Sequence, residues 1–459
     1  MTVSRRGIFG WLMFDWATQP VFTLITTFIF APYFAGRFIS DGVAGQTYWG
    51  YATALAGMLI AVLSPVLGSI ADVTGRRKPW IAAFSVVLVS GALLLWFSAP
   101  ASGVVTVQAG AILLVLAGYI LVTVGAEFAT VFTNAMMPEL VAPERLGRLS
   151  GTGWALGYAG GLASLVIVLG FLEASPESGR TLLGMMPLFG LDPGLAEGTR
   201  ASGPLTALWY VVFVLPLFLF TPDTARRRGI SLPAAARQGL SDLVTRIRQA
   251  RQDKKLFLYL LAHMLYVDGL IALFAFGGIY AKSVFGWDTT KLGLFGIFLT
   301  ITGVAGALIG GRLNDRLGSI AVIRGSIIIL ILSSLAILSV EDTAILFVVP
   351  VSGSIAELSY YLIGGVIGAA AGPLQSASRT YLAEITGPAE RTSAFGLYAM
   401  VGKVTSFAGP LAVGLLTAFS QSQRIGISAL IGFLLAGLVV LGFAVNAANT
   451  VSAGSAARR

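Results

Sequence analysis

Four ionisable side chains stand inside long apolar runs of this chain: Asp15, Glu127, Asp268 and Lys403, with His263 and Glu357 nearer the ends of such runs. A charge at the centre of a bilayer costs about 2.5–3.5 kcal/mol on insertion scales, so residues of this kind face a bundle interior, a partner or a water-filled cavity. Ionised together, the four carry three negative charges and one positive, an imbalance that binding a proton relieves. Glu127 and Asp268 are the candidate proton carriers. A plainer role, carboxylates satisfied by helix-to-helix hydrogen bonds, stays open for each of them.

Helical spacing groups the polar residues into stripes. Glu127, Thr130 and Asn134 fall three and four apart, Gln375 and Arg379 fall four apart, and Asp15, Thr18 and Gln19 share a face with Phe22 and Thr26. Tyr158, Tyr398 and Lys403 are further candidates. Such a wall suits a zwitterionic solute such as an amino acid: an ammonium would meet Asp15 or Asp268, and a carboxylate would meet Lys403 or Arg379. Two other readings stand beside this one. Arg379 can be a topology charge at the inner surface, and Lys403 can be neutralised by Asp15 or Glu127 as a structural pair.

These stripes need long helices to carry them. The chain has 459 residues, of which 56% are hydrophobic and 11% charged, and its mean hydropathy is +0.85. Soluble domains carry about a quarter charged residues, so the composition points to a polytopic α-helical membrane protein. Apolar runs of about twenty residues, rather than alternating strands of about ten, exclude a β-barrel reading. Twelve spans are expected, at about 8–36, 44–71, 79–98, 104–135, 150–172, 204–220, 256–281, 290–311, 319–339, 355–376, 393–419 and 424–446. With both termini in the cytoplasm, inner loops and tails hold 23 of the 30 Lys and Arg, outer loops hold six, and Lys403 lies between. The net charge of +9 therefore reflects topology, not nucleic-acid binding. Ser4-Arg5-Arg6 reads as a basic flank, since the apolar run after it is too long for an export signal.

The polar stretch 221–255 divides the chain into an N-terminal half (1–220) and a C-terminal half (256–447), followed by a tail (448–459). Its residues 240–251 allow an amphipathic helix on anionic lipid, with a solvated linker as the alternative. The Gly- and Pro-rich loop 173–203 is expected to cover the outer mouth. There are no cysteines and one histidine. No nucleophile–base pair, phosphate loop or metal set appears, so neither an enzyme nor a bound cofactor is expected. The glycines of 151–161, 303–311 and 364–372 read as close helix packing. Trp11, Trp16, Trp49, Trp80 and Trp209 read mostly as interface anchors, with Trp16 and Trp154 as possible borders of a cavity. His263 reads as a packed histidine.

The halves echo each other, the mark of a transporter built from repeats. Gly68-Ser-Ile-Ala-Asp72 with Gly75-Arg76-Arg77-Lys78 answers Gly311-Arg-Leu-Asn-Asp315-Arg316. Pro138-Glu139 with Glu144-Arg145 answers Ala383-Glu384 with Glu390-Arg391, and Asp15 answers Asp268. The loop after span two resembles the signature loop of the major facilitator superfamily. Residues 14–34, 132–161, 265–281 and 373–411 resemble, within it, the vacuole effluxer-like (autophagy-related amino-acid effluxer-like) family, from which the chain departs at Thr18-Gln19-Pro20. That resemblance implies an all-α fold of two six-helix bundles around a cavity lined by spans one, four, seven and ten.

Asp72, Arg76, Arg77, Glu139, Asp315, Arg316 and Glu384 are then candidate gating residues. Asp72 is expected near Gly396 and Asp315 near Gly151, each against the positive end of a helix from the other half. The expected function is secondary transport of a small solute by alternating access, coupled to protons. The alternatives are an uncoupled facilitator, or a transporter-like sensor or scaffold that uses 221–255. Solute, protons and membrane lipid are the expected partners, nucleic acid is not, and a prokaryotic inner membrane is the expected location.

Overall fold

The computed structural model describes residues 3–456 apart from 75, 101–107, 143–145, 176, most of 224–250, 386–396, 399–400 and 403–404. Its helices in chain order are α1 (Arg5–Phe38), α2 (Gly42–Thr74), α3 (Lys78–Leu94), α4 (Ala109–Leu140), α5 (146–172), α6 (Ser202–Phe220), α7 (Lys254–Phe285), α8 (Thr289–Leu317), α9 (Ser319–Leu338), α10 (Gly353–Ile385), α11 (Ala408–Ser420) and α12 (Gln423–Ala456). Among the described residues ten are long and apolar enough to cross a membrane, and α2 and α11 complete the twelve. A two-stranded ribbon, β1 (Ala344–Ile345) against β2 (Val349–Pro350), joins α9 to α10. The end of the bundle built from 39–41, 173–196, 286–288, 339–352 and 421–422 is called distal below, and the opposite end proximal.

Helices α1 to α6 pack mainly on one another, as do α7 to α12, except that α2 and α11 make their largest helix contact with each other across the halves. Glycines set the closest approaches. A Cβ on Gly153, Gly157, Gly160 or Gly161 of α5 would press on Asp15, Gln19, Trp16 or Thr23 of α1. In the second half, Gly306 and Gly310 of α8 abut Ala369 and Pro373 of α10, while Gly364, Gly365 and Gly368 of α10 abut Phe295, Phe298 and Leu299 of α8. Small residues let backbones meet where lipid offers no hydrophobic drive for association. The three glycine runs thus pack helices, as expected from the sequence.

Proline shapes α1. Pro20 lacks an N–H and crowds the carbonyl four residues back, that of Trp16. There the α-helix gives way to a π-helix, Val21–Phe28. The freed Trp16 carbonyl accepts a hydrogen bond from the Trp209 indole N–H of α6 at 3.0 Å, and the two rings stack at 5.6 Å. Trp209→Phe keeps an aromatic ring there but strips this buried acceptor, and is expected to cost about 1–3 kcal/mol. Thermal unfolding in detergent reads the loss; a melting temperature equal to wild type would show that the carbonyl needs no such donor.

Several tryptophans therefore differ from the interface anchors expected. Trp11 is buried and donates to the Thr133 carbonyl at 2.7 Å. Trp49 is buried against Tyr119 with ring centroids 4.0 Å apart, and Trp80 stacks on Phe132. Trp16 faces α6 instead of a cavity. Packing against neighbouring rings, with the indole donor satisfied by a carbonyl where one is in reach, makes interior positions available to these side chains. Helices α4 and α10 also outrun the expected spans, ending at Leu140 and Ile385, because their polar ends stay helical beyond the apolar run.

Candidate functional site

Asp15 lies on the α1 face that meets α5, and Gly153 leaves room for its carboxylate where any larger residue would collide with it. The charge it faces is Arg379 of α10, from the other half. Arg379 sits within α10, well before its end at Ile385, and its guanidinium lies over the Trp154 ring of α5, 5.1 Å from the centroid. Trp154 packs on Tyr158 at 5.9 Å, and the Tyr158 hydroxyl faces Gln375, one turn before Arg379. Gln19 of α1 stands one turn from Asp15 and donates to Thr23 at 3.4 Å. These residues meet at the seam between halves and are partly exposed there. At the seam the Arg379 guanidinium thus lies on an aromatic face of one half and opposite a carboxylate of the other.

Beside Arg379 lies a network that the stripes did not reveal. Ser378 donates to the Leu374 carbonyl at 2.6 Å, and its oxygen lies 2.7 Å from the Tyr266 hydroxyl, which lies 3.1 Å from His263 Nδ1. Since the Ser378 proton is already used, Tyr266 donates to Ser378 and His263 Nδ1 donates to Tyr266. The neutral imidazole then keeps its lone pair on Nε2. Tyr398 stacks on His263 at 3.9 Å, and the Tyr259 hydroxyl donates to the Ser378 carbonyl. The packed reading of His263 holds. The spacing of Tyr259, His263 and Tyr266, four and three apart, was the available signal for this face.

Asp268 of α7 is 1% exposed, with neither carboxylate oxygen hydrogen-bonded among the described residues. The Thr405 hydroxyl is its polar neighbour, and Gly409 of α11 packs on its carbonyl. Glu127 is half-buried on α4 near Tyr119, whose hydroxyl lies 2.9 Å from that of Thr53 on α2. Asn134 is exposed, as is Glu139 further along the helix. Lys403 lies outside the described residues, so the cation that meets Asp15 in the described structure is Arg379.

Of the gating candidates, Arg77 and Glu139 form a 2.6 Å ion pair, and the Arg77 backbone N–H donates to Asp223 at 2.9 Å. Glu384 accepts from Ser319 at 2.7 Å. Glu139 and Glu384 thus each tie the end of α4 or α10 to the start of α3 or α9, a repeat-related pair of contacts, each within one half. Arg76 and Arg316 are exposed. The side chains of Asp72 and Asp315, and Gly396 expected against Asp72, lie outside what is described.

At the distal end the halves touch. Gln46 of α2 donates to Thr417 of α11 at 2.6 Å, Gln423 donates to the Gly42 carbonyl at 2.6 Å, and Gly50 meets Gly414 backbone to backbone. Gly293 of α8 packs on Leu169 of α5 and Gly296 on Phe28 of α1. The loop after α5 is drawn over this end by Arg37, which donates to the Pro193 and Gly194 carbonyls at 2.8 Å.

Two pseudo-symmetric six-helix halves with opposed charges at their seam define a transporter of the major facilitator superfamily. The chain belongs to the vacuole effluxer Atg22-like family, whose profile matches residues 33–453. It is 24% identical over 449 residues, 96% of this chain and 95% of the relative, to the uncharacterized MFS-type transporter YxiO of Bacillus subtilis (strain 168). It is 27% identical over 301 residues to autophagy-related protein 22 of Cryptococcus neoformans var. neoformans serotype D, covering 64% of this chain and half of that protein. In fold it matches a bacterial homolog to the human lysosomal transporter Spinster in an inward-facing, unoccupied conformation (TM-score 0.62, 14% identity, 96% of each chain). It also matches a D-xylose–proton symporter (TM-score 0.60, 16% identity, 96% and 95% of the two chains).

Proposed function

We propose that this chain moves a small zwitterionic solute of the amino-acid class across the membrane by alternating access, coupled to protons. The observation that carries the reading is the opposition of Asp15 and Arg379 across the seam, framed by Trp154, Tyr158, Gln19 and Gln375. A solute with an ammonium and a carboxylate can replace each residue's partner with its own group, so that binding draws on the charges that hold the halves together. Asp268, buried without a hydrogen bond among the described residues, is the proposed coupling group, with Glu127 as the second. Taking up a proton there removes a charge that is costly at that depth.

The distal contacts between α2 and α11 and between α5 and α8 describe a bundle closed at that end. With the termini in the cytoplasm of a prokaryotic cell, this is the state that receives solute from inside. The domain division at 221–255 belongs to the same proposal, since rocking of two halves needs a connection that spares both bundles.

Purified protein in proteoliposomes, given a mixture of radiolabelled amino acids at controlled internal and external pH, tests substrate class and coupling together. Uptake driven by a proton gradient is expected, with at least tenfold loss in Asp15→Asn. An Asp15→Asn protein that transports as fast as wild type removes that residue from the scheme. Uptake indifferent to the gradient favours the uncoupled facilitator.

A further inference from the structure

Outside the central site, one carboxylate is buried in the seam itself. Glu173 follows the last turn of α5, its N–H bonded to the Val168 carbonyl at 2.8 Å, and it is 5% exposed. Thr199 donates its hydroxyl to the Glu173 carboxylate at 2.8 Å. The Thr199 oxygen lies 3.3 Å from the hydroxyl of Thr289, the first residue of α8 and hence part of the other half. Gly198 leaves no room for a side chain against the Leu172 carbonyl and Glu173. The charged groups facing this carboxylate are Arg37 from the end of α1, Lys282 from the end of α7, and Asp288 from the turn before α8. Arg37 and Lys282 are otherwise engaged with carbonyls, those of Pro193, Gly194 and Trp287. Glu173 therefore sits in a chain of two threonines that bridges the halves, and it has no direct ion pair among the described residues.

We propose that Glu173 is a proton-binding site of the distal seam: a proton on its carboxyl keeps this end closed, and losing that proton to water releases it. The proposal rests on the alternating-access reading above, because it assumes that the distal contacts separate. Burial pushes the Glu173 carboxyl up from 4.5 to about 7, against the lowering effects of Thr199, Arg37 and Thr289. Once the seam parts and water reaches it, the ordinary value returns. The folded, closed state thus holds the proton more tightly than the open one, so acid favours closure. The preference is full below pH 4.5 and is lost as pH rises to about 7. Between pH 5 and pH 8 the closed-to-open ratio is expected to fall on the order of 50- to 100-fold.

The chain has no cysteine, so a single pair can be introduced without background. Spin labels at Ser178→Cys and Thr343→Cys, both exposed and on opposite halves of the distal end, report the seam by pulsed dipolar distance measurement in nanodiscs without solute. Wild type is expected to shift toward the longer distance as pH rises from 5 to 8. Glu173→Gln, neutral and still able to accept from Thr199, is expected to stay short at every pH, while Asp288→Asn, which removes a neighbouring charge but not the titrating group, keeps a pH-driven shift. Thr289→Val, which cuts the bridge on the other half without touching Glu173, is expected to favour the long distance even at pH 5. A distance that ignores pH in wild type overturns the proposal, and so does a Glu173→Gln protein that keeps the wild-type shift. No solute is present, so a failed uptake screen and a failed distance experiment point to different errors.

Discussion

Arg379→Ala is expected to lower amino-acid uptake by on the order of 10- to 100-fold. The guanidinium is placed to give charge-assisted hydrogen bonds to a solute carboxylate, and losing such bonds costs about 1.5–3 kcal/mol. At about 1.4 kcal/mol per decade, that sets the range. Its removal also leaves Asp15 facing no charge across the seam among the described residues and frees the Trp154 ring. Arg379→Lys keeps the charge but loses the planar stacking and the fork geometry, so an intermediate rate is expected. Proteoliposome uptake of a radiolabelled amino-acid mixture reads all three proteins, with melting temperatures taken in parallel. The double variant Asp15→Asn/Arg379→Ala separates binding from stability: it is expected to recover any melting temperature lost in the single Arg379 variant but none of the transport. Full uptake by Arg379→Ala would sink the solute-binding role.

The same residue shows where the sequence was informative and where it stopped. The four-residue spacing of Gln375 and Arg379 put both on one face of α10, and the structure turns that face to the seam, where Gln375 meets Tyr158 and Arg379 meets Trp154. Periodicity within a helix reports such a face. It does not report which helix of the other half lies opposite, so the cation read against Asp15 on paper was Lys403, and the opposition to Arg379 had to come from geometry. Glu173 was harder still. Its sequence neighbourhood reads as an outer loop, and only the folding of Thr199 over it, with Thr289 arriving from α8, makes it a buried seam residue.

Proline and tryptophan give a similar contrast. The first span was read as continuous although it holds Pro20, and the donor that relieves the break there, Trp209, lies on α6 and carries no local sequence signal. Hydropathy likewise assigned several tryptophans to the interface because it scores a residue by its window, whereas burial depends on whether a neighbouring ring and carbonyl receive the indole. The glycine runs were the most legible feature, since closely spaced small residues in an apolar helix have few uses besides letting another backbone approach.

That legibility makes Gly306 the position of greatest expected consequence for folding. Its missing Cβ would overlap the Ala369 carbonyl, a backbone atom of α10 that no rotamer change can move. Relief requires α8 and α10 to separate along the contact that also joins Gly310 to Pro373 and Gly368 to Leu299. Gly306→Val is therefore expected to cost about 3 kcal/mol or more, at the upper end for overpacking because the obstacle is backbone. Gly311, five residues along the same helix, has no atom within 4 Å of a built Cβ and is exposed. Gly311→Val is expected to leave the melting temperature nearly unchanged, since both substitutions carry the same helix propensity and differ only in what the new side chain meets. Thermal unfolding of the two proteins in one detergent, with monodispersity by size-exclusion chromatography, makes the comparison. Equal melting temperatures would mean that α8 and α10 are not held at the distance these glycines permit, and the packing that fixes the second half around Asp268 and Arg379 would need another source.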